Sequence, residues 1–224
     1  MGVLVKGVGV PKDTRNRMLD AAVSALRRQG VAGMSFTEVL DASGAARGAI
    51  YHHFPGGKTQ LVAEAAERNG HEVRARLEEL PATGPVQVTE EFLALIRPVV
   101  AESSAGSGCA VAAVAMGDDP ALREASATAL TSWVGTLTDR LTAAGLPAAD
   151  AGDLATTLIA LLEGAHVLCR AAGEVAPFDR AARAARSMVA SRYGPDFDTD
   201  PRKGRGRSRS PVPRRPAAGS AAAA

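Results

Sequence analysis

Apolar residues recur through most of this chain at intervals of three and four, the spacing that lines up side chains on one face of an α-helix. Met18, Leu19, Ala22, Val23 and Leu26 form the first such set, and Gly30 supplies a stop. They predict a helix over residues 14–29, with Thr14 as N-cap and Arg17 where a capping-box Glu would sit. Two short helices are predicted next, over 37–43 and 46–53, joined by a tight turn at Gly44. Val39, Leu40 and Ala42 are the apolar contacts of the first, and Ile50 and Phe54, four apart, those of the second. Pro55-Gly56-Gly57 breaks the chain, and Lys58 opens a helix to about Leu80. Phe92, Leu95, Ile96, Val99 and Val100 mark another helix, followed by a small-residue loop at 103–108 and a short apolar helix at 109–116. Asp119-Pro120 is an N-cap and first-turn pair for a helix to about Ala144. Helices over 148–172 and from Pro177 to near Tyr193 complete the pattern. Runs of period two are nearly absent, so the expected fold class is all-α.

Composition agrees with helices: 46% of residues are apolar but only 4% aromatic, and Ala and Leu dominate. The net charge of +2 is unevenly placed. Residues 1–60 carry +4, residues 61–200 carry −9, and residues 201–224 carry +7 with no acid. A basic head on an acidic body is the distribution of a DNA-docking module attached to a domain that does not bind DNA. Two cysteines, Cys109 and Cys169, lack the spacing of a zinc site or a disulfide framework. The first residues are too short an apolar stretch for a secretory signal, and Lys6 breaks the myristoylation pattern. No apolar run is read as approaching the roughly 20 residues of a membrane span, so a cytoplasmic protein without membrane contact is expected.

Two short helices around a glycine turn, the second with a polar and aromatic outer face, form a helix-turn-helix. That face carries Arg47, Gly48, Tyr51 and His52. Arg47 stands where the first residues of a recognition helix reach base edges, and a guanidinium can grip guanine through two hydrogen bonds. The alternative is a solvated surface arginine. Gly48 allows close approach to the groove, or is only a weak helix position. Tyr51 offers its hydroxyl to a phosphate, against a ring merely packed on the head. Thr37, at the start of the first short helix, can present its hydroxyl or amide to a phosphate while also serving as an N-cap. Lys58 is a further candidate phosphate partner, and His53 faces nearer the core.

The segment from Thr14 to Leu61 resembles the TetR family of bacterial repressors. The residues that carry the resemblance are Thr14-Arg15, Gly30, Ser35-Phe36-Thr37, the Gly44 turn and above all Ile50-Tyr51-His52-His53-Phe54-Pro55. Gly56-Gly57-Lys58, together with Gly108-Cys109-Ala110-Val111-Ala112-Ala113-Val114 and Leu161-Leu162-Glu163-Gly164-Ala165, is similar to the branch of the lincomycin-resistance repressor. The resemblance implies a homodimer of nine or ten helices per subunit, with a DNA-binding head and a ligand pocket in the C-terminal body. The expected organisation is a flexible arm at 1–13, a DNA-binding domain at 14–61, a sensing and dimerisation domain at 62–193, and a disordered basic tail at 194–224. The tail departs from the family pattern.

Glu163-x-x-His166 has the spacing of a di-iron bundle motif, but no second copy exists, and His166 among Leu162, Val167 and Leu168 reads as a buried or interface histidine. No nucleophile elbow or phosphate-binding loop is present, so neither catalysis nor a metal or cofactor is expected. Phe92, Met116, Trp133, Leu137, Cys169 and Phe178 are candidates to line a pocket between body helices, with ordinary core packing the competing role. Leu154, Leu158, Leu161, Leu162 and Ala165, then Ala181, Ala185 and Val189, are candidates for the dimer interface. The expected function is a regulator released from a palindromic double-stranded DNA operator by a small-molecule effector. The rival is an architectural nucleic-acid-binding protein whose basic tail supplies most of the binding.

Overall fold

The computed structural model describes residues 11–194, and among them the chain forms nine α-helices, one 3-10 turn and no strand. Residues 1–10 of the arm expected at 1–13 and residues 195–224 of the expected tail lie outside the described residues, whereas residues 11–13 belong to the first helix. The all-α expectation is met.

Helix α1 runs Pro11–Gly33, so the predicted start at Thr14 is corrected. Proline suits a first turn, where its missing N–H would have no partner. Thr14 lies inside the helix, and its hydroxyl accepts from the Arg17 guanidinium at 3.4 Å. The stop at Gly30 is met: φ 68° and ψ −174° break the helix before one further turn. Helix α2, Phe36–Ser43, is capped by Ser35, whose hydroxyl accepts from the Glu38 amide at 3.2 Å. Ser35 is therefore the N-cap and Thr37 is not. Ala42, expected in the core, is exposed, and Ser43 is buried instead, its hydroxyl bonded to the Leu40 carbonyl. Gly44 closes α2 in the left-handed conformation.

Helix α3 is Ala49–His53, shorter than predicted, because Arg47 and Gly48 form the turn that leads into it. Helices α4 (Gly57–Glu78), α5 (Pro85–Ala101), α6 (Ala110–Ala115), α7 (Pro120–Ala143), α8 (Ala148–Ala172) and α9 (Ala176–Tyr193) follow the predicted pattern within a few residues. Asp119 caps α7 as expected, accepting from the Ala121 amide. The loop expected after α5 contains a 3-10 turn at Glu102–Ala105.

Buried side chains fall into two apolar clusters. One joins Met18, Leu26, Ile50, Phe54 and Leu61 to Ala110, Val114 and Leu122, so α6 packs into the same core as the first three helices. The other gathers Phe92, Trp133, Leu137, Leu158, Phe178 and Val189 from α5, α7, α8 and α9. Helix α4 runs between them and lies along α7. The two approach closely at Gly70, where a Cβ would stand 2.9 Å from that of Ala129. Trp133 fixes this contact by donating its indole N–H to the Gly70 carbonyl at 2.8 Å.

Helix α8 is long and apolar enough to cross a membrane by length and composition, which corrects the expectation that no stretch would be. Its inner face is a core face: Ala151, Ala155, Leu158, Ile159, Leu162, Ala165 and Cys169 are buried among the body helices.

Candidate functional site

The turn and α3 separate into two faces because the chain buries Ile50 and Phe54. Both are fully enclosed, and they hold the short helix against the core of the head. A five-residue helix has little stability of its own, so its orientation comes from these two anchors. Arg15 adds a third support: its guanidinium lies 5.3 Å from the centre of the Phe54 ring and pairs with Glu64 of α4.

On the opposite face Arg47, Gly48, Tyr51 and His52 are all exposed. Tyr51 is 65% exposed, and its ring meets Phe36 edge-on at 6.1 Å, which steadies the ring and leaves the surface open around it. Phe36, named above only among the residues that carry the family resemblance, is thus a support for Tyr51, a role its sequence position alone did not announce. Its aromatic character just after a Ser cap was the available signal. His53 is half-buried, with its ring 5.0 Å from that of His52. Thr37 is exposed in the first turn of α2, and Lys58 is half-buried in the first turn of α4. Helix α2 is fastened to the end of α1 by Glu38, which accepts from Arg28 at 3.0 Å and from Gln29 at 2.9 Å.

The body candidates do not converge on one place. Phe92 and Trp133 line a small cavity of about 60 Å³, together with Leu162 and His166. Leu137, Cys169 and Phe178 are buried in the surrounding core. Met116 is 87% exposed and lines an open groove of about 740 Å³ on the outside of the bundle. This groove lies between the end of α1, α6 and α8. His166 borders both spaces. Its Nδ1 shares a hydrogen bond of 2.6 Å with the Ser103 hydroxyl. Burial holds the imidazole pKa down at about 4, and the nearby Arg27 charge acts in the same sense.

Next to it, both Glu163 oxygens are shielded from solvent and have no conventional hydrogen-bond partner among the described residues. Burial pushes this carboxyl up to about 6, against the weak pull of the Cys109 thiol. Burial and the Glu163 carboxylate together push Cys109 far above the usual thiol range, which disfavours its thiolate. The sequence reading weighed Glu163 only as a metal-motif partner. A lone Glu in the apolar run Leu161–Ala165 was the signal for a buried charge.

Of the proposed interface residues, Leu158, Leu162, Ala165, Ala185 and Val189 are buried within the protomer's own core. Leu154, Leu161 and Ala181 are partly exposed on α8 and α9. Beside them stand Leu168, 56% exposed, and Met188, 57% exposed.

Comparison with known proteins adds sequence and fold. The profile described as "Bacterial regulatory proteins, tetR family" matches residues 18–65, and that described as "Transcriptional regulator LmrA/YxaF-like, C-terminal domain" matches residues 85–184. The HTH-type transcriptional regulator Rv0196 of Mycobacterium tuberculosis is 32% identical over 184 residues, covering 78% of this chain and 93% of that protein. A TetR transcriptional regulator of Chloroflexus aurantiacus superposes with a TM-score of 0.69 at 26% identity, covering 82% of this chain and 97% of that one. The regulator CifR, solved with a 26-bp double-strand operator, shares the fold with a TM-score of 0.59 at 24% identity, covering 80% of this chain and 99% of that one. With a helix-turn-helix head whose outer face is free and a helical body matched along its length, the chain belongs to the TetR family of DNA-binding transcriptional regulators, in the branch with an LmrA/YxaF-like C-terminal domain.

Proposed function

We propose that this chain is a homodimeric repressor that leaves a palindromic operator when a small molecule binds its body. The observation that carries the reading is the division of the α3 region. Ile50 and Phe54 are enclosed, while Arg47, Gly48, Tyr51 and His52 stand free together. Residues 14–61 act as the DNA-binding head in this reading, with Arg47 at base edges and Thr37, Tyr51 and Lys58 at phosphates. CifR, seen on a duplex operator, supports such a docking by analogy of fold.

Residues 62–193 act as the sensing and dimerising body. Leu154, Leu161 and Leu168 recur every seven residues on α8, and Ala181 and Met188 share that spacing on α9. Such spacing lines one side of a helix, and partly exposed apolar stripes on two adjacent helices suit a symmetric helix-on-helix interface. A second copy placed there sets two heads for successive major grooves, and a ligand that changes their separation lowers operator affinity. A bacterial operator-binding protein acts in the cytoplasm.

Selection of duplex sequences by the purified full chain tests this reading. A palindrome with half-sites about one helical turn apart is expected, and Arg47→Ala is expected to weaken its binding while the dimer persists. Wild-type affinity in that variant would overturn the assignment. Deleting residues 201–224 separates the rival: a chain that keeps its sequence preference is a repressor, and one that loses most binding and its salt dependence is tail-driven.

A further inference from the structure

The groove between α1, α6 and α8 combines features that point to a ligand of definite chemistry. Its volume of about 740 Å³ lies within the range of small-molecule sites. Its lining is mostly apolar, with Ala112, Ala113, Met116, Leu130 and Val167 among the residues that face it. Glu163 lines the same groove with both carboxylate oxygens out of solvent and no cation paired to them among the described residues. A carboxylate withdrawn from water is unfavourable unless it is protonated or meets a positive charge. Gly164 beside it has open space where a side chain would stand, so the groove wall next to the carboxylate is bare, and a small shift of the Glu163 side chain is what brings its oxygens to an occupant. Arg27, on the α1 wall, contributes a second buried and unpartnered group, its Nε.

We propose that this groove is the effector site and that it takes a lipophilic amine, whose ammonium pairs with Glu163 while its apolar body covers α6. The proposal rests on the regulator reading above and gives its ligand a chemical class. A neutral lipophile would leave the carboxylate buried without a counter-charge. Of the three arginines that also line the groove, Arg28 is paired with Glu38 and Arg170 donates to the Arg28 carbonyl, and an anion drawn to them would leave Glu163 without its cation. An oxygen substituent on the amine finds a donor in Arg27. The site also has a mechanical consequence: residues 26–30 of α1 form one wall, so an occupant touches the helix that carries the head.

Calorimetric titration of the full chain near neutral pH with naphthylethylamine, naphthylethanol and naphthylacetate tests the assignment. The amine is expected to bind at least about tenfold more tightly than the alcohol, and the acetate to bind most weakly. Glu163→Gln is expected to erase the preference for the amine and leave the alcohol unchanged, with helicity intact and melting no lower than in the parent chain. Ala113→Trp, which fills the groove, is expected to abolish binding of all three and guards against an effect of Glu163 on folding alone. An amine preference that survives Glu163→Gln, acetate as the tightest ligand, or no amine binding would overturn the proposal. Operator binding is measured separately: an amine that binds without releasing DNA leaves the site standing and refutes the regulatory reading.

Discussion

The backbone amide of Gly108 donates to the carbonyl of Arg27 across 2.8 Å, joining the loop before α6 to the end of α1. Gly30 breaks the regular turn of α1, and two carbonyls just before the break accept from groups of the body. Gly108 satisfies one, and the Arg170 guanidinium of α8 satisfies the next, donating to the Arg28 carbonyl at 3.2 Å. The body therefore completes the cap of the helix that carries the head. Arg170→Ala is expected to lower global stability by less than about 1 kcal/mol, since the bond is exposed. The same change is expected to speed amide hydrogen exchange near the end of α1, and unchanged exchange there would refute the coupling.

Gly30 is the second determinant of that junction. Its φ of 68° with ψ near −174° is a backbone state open almost only to glycine, although nothing lies within 4 Å of where a Cβ would be. Gly30→Ala should therefore destabilise the chain by about 1–3 kcal/mol through the backbone alone. Gly135→Ala, in the exposed interior of α7 with equally open space, should stabilise by about 0.5–1 kcal/mol. Urea unfolding of the two variants decides, and equal midpoints would refute the argument.

On DNA, Tyr51→Phe keeps the ring against Phe36 and removes only the hydroxyl. A loss of about 1 kcal/mol, close to fivefold in affinity and equal across sequences, is expected. Lys58→Ala should instead reduce the salt dependence of binding by about one counterion. Gel-shift titrations over a salt series separate the two, and a loss confined to one base pair in Tyr51→Phe would contradict a phosphate contact.

The interface prediction contrasts two kinds of apolar position. Leu168→Glu with Met188→Glu should give a folded monomer in sedimentation analysis, because Leu168 of α8 and Met188 of α9 are both exposed. Leu158→Ala should instead cost about 2–5 kcal/mol of folding stability, because Leu158 is wholly buried in the protomer. A dimer that survives the double charge would remove this face of α8 and α9 from the interface.

Glu163 and His166 give opposite pH dependences. In the folded chain Glu163 keeps its proton to about pH 6, above its ordinary 4.5, so its stabilising effect is present below pH 4.5 and lost as pH rises through 6. His166 stays neutral down to about 4, below its ordinary 6.5, so its contribution is present above pH 6.5 and lost as pH falls through 4. At about 1.4 kcal/mol for each pH unit, the first amounts to about 2 kcal/mol and the second to about 3. The two nearly cancel between pH 4.5 and 6. Glu163→Gln should unmask the histidine slope and gain about 1–2 kcal/mol at neutral pH, with no gain at pH 4.5. Denaturation midpoints across that range check it, and a variant less stable than wild type at neutral pH would refute it.

Helix boundaries and the exposed face of α3 were legible because they follow from local rules. The spacing of Met18 to Leu26, the Asp119-Pro120 pair and Gly44 each fix backbone geometry within a few residues of themselves. Where two local rules compete, the sequence misled: Ser35 and Thr37 are both able to cap α2, and only the fold shows that Ser35 takes the position. Arg47 and Gly48 likewise read as helix but form a turn, because burial of Ile50 and Phe54 sets where α3 begins.

The chain by itself determined an all-helical protein with a helix-turn-helix near its start, since periodicity and turn residues act over short distances. Only the tertiary structure decided which apolar residues of α8 are core and which are surface, because a helix apolar on several faces does not say which neighbours it will meet. It alone also enclosed the Glu163 carboxylate with no cation paired to it among the described residues. A charge becomes a site only when the helices around it exclude water, and that depends on residues more than fifty positions apart, from Arg27 to Cys109 to Glu163.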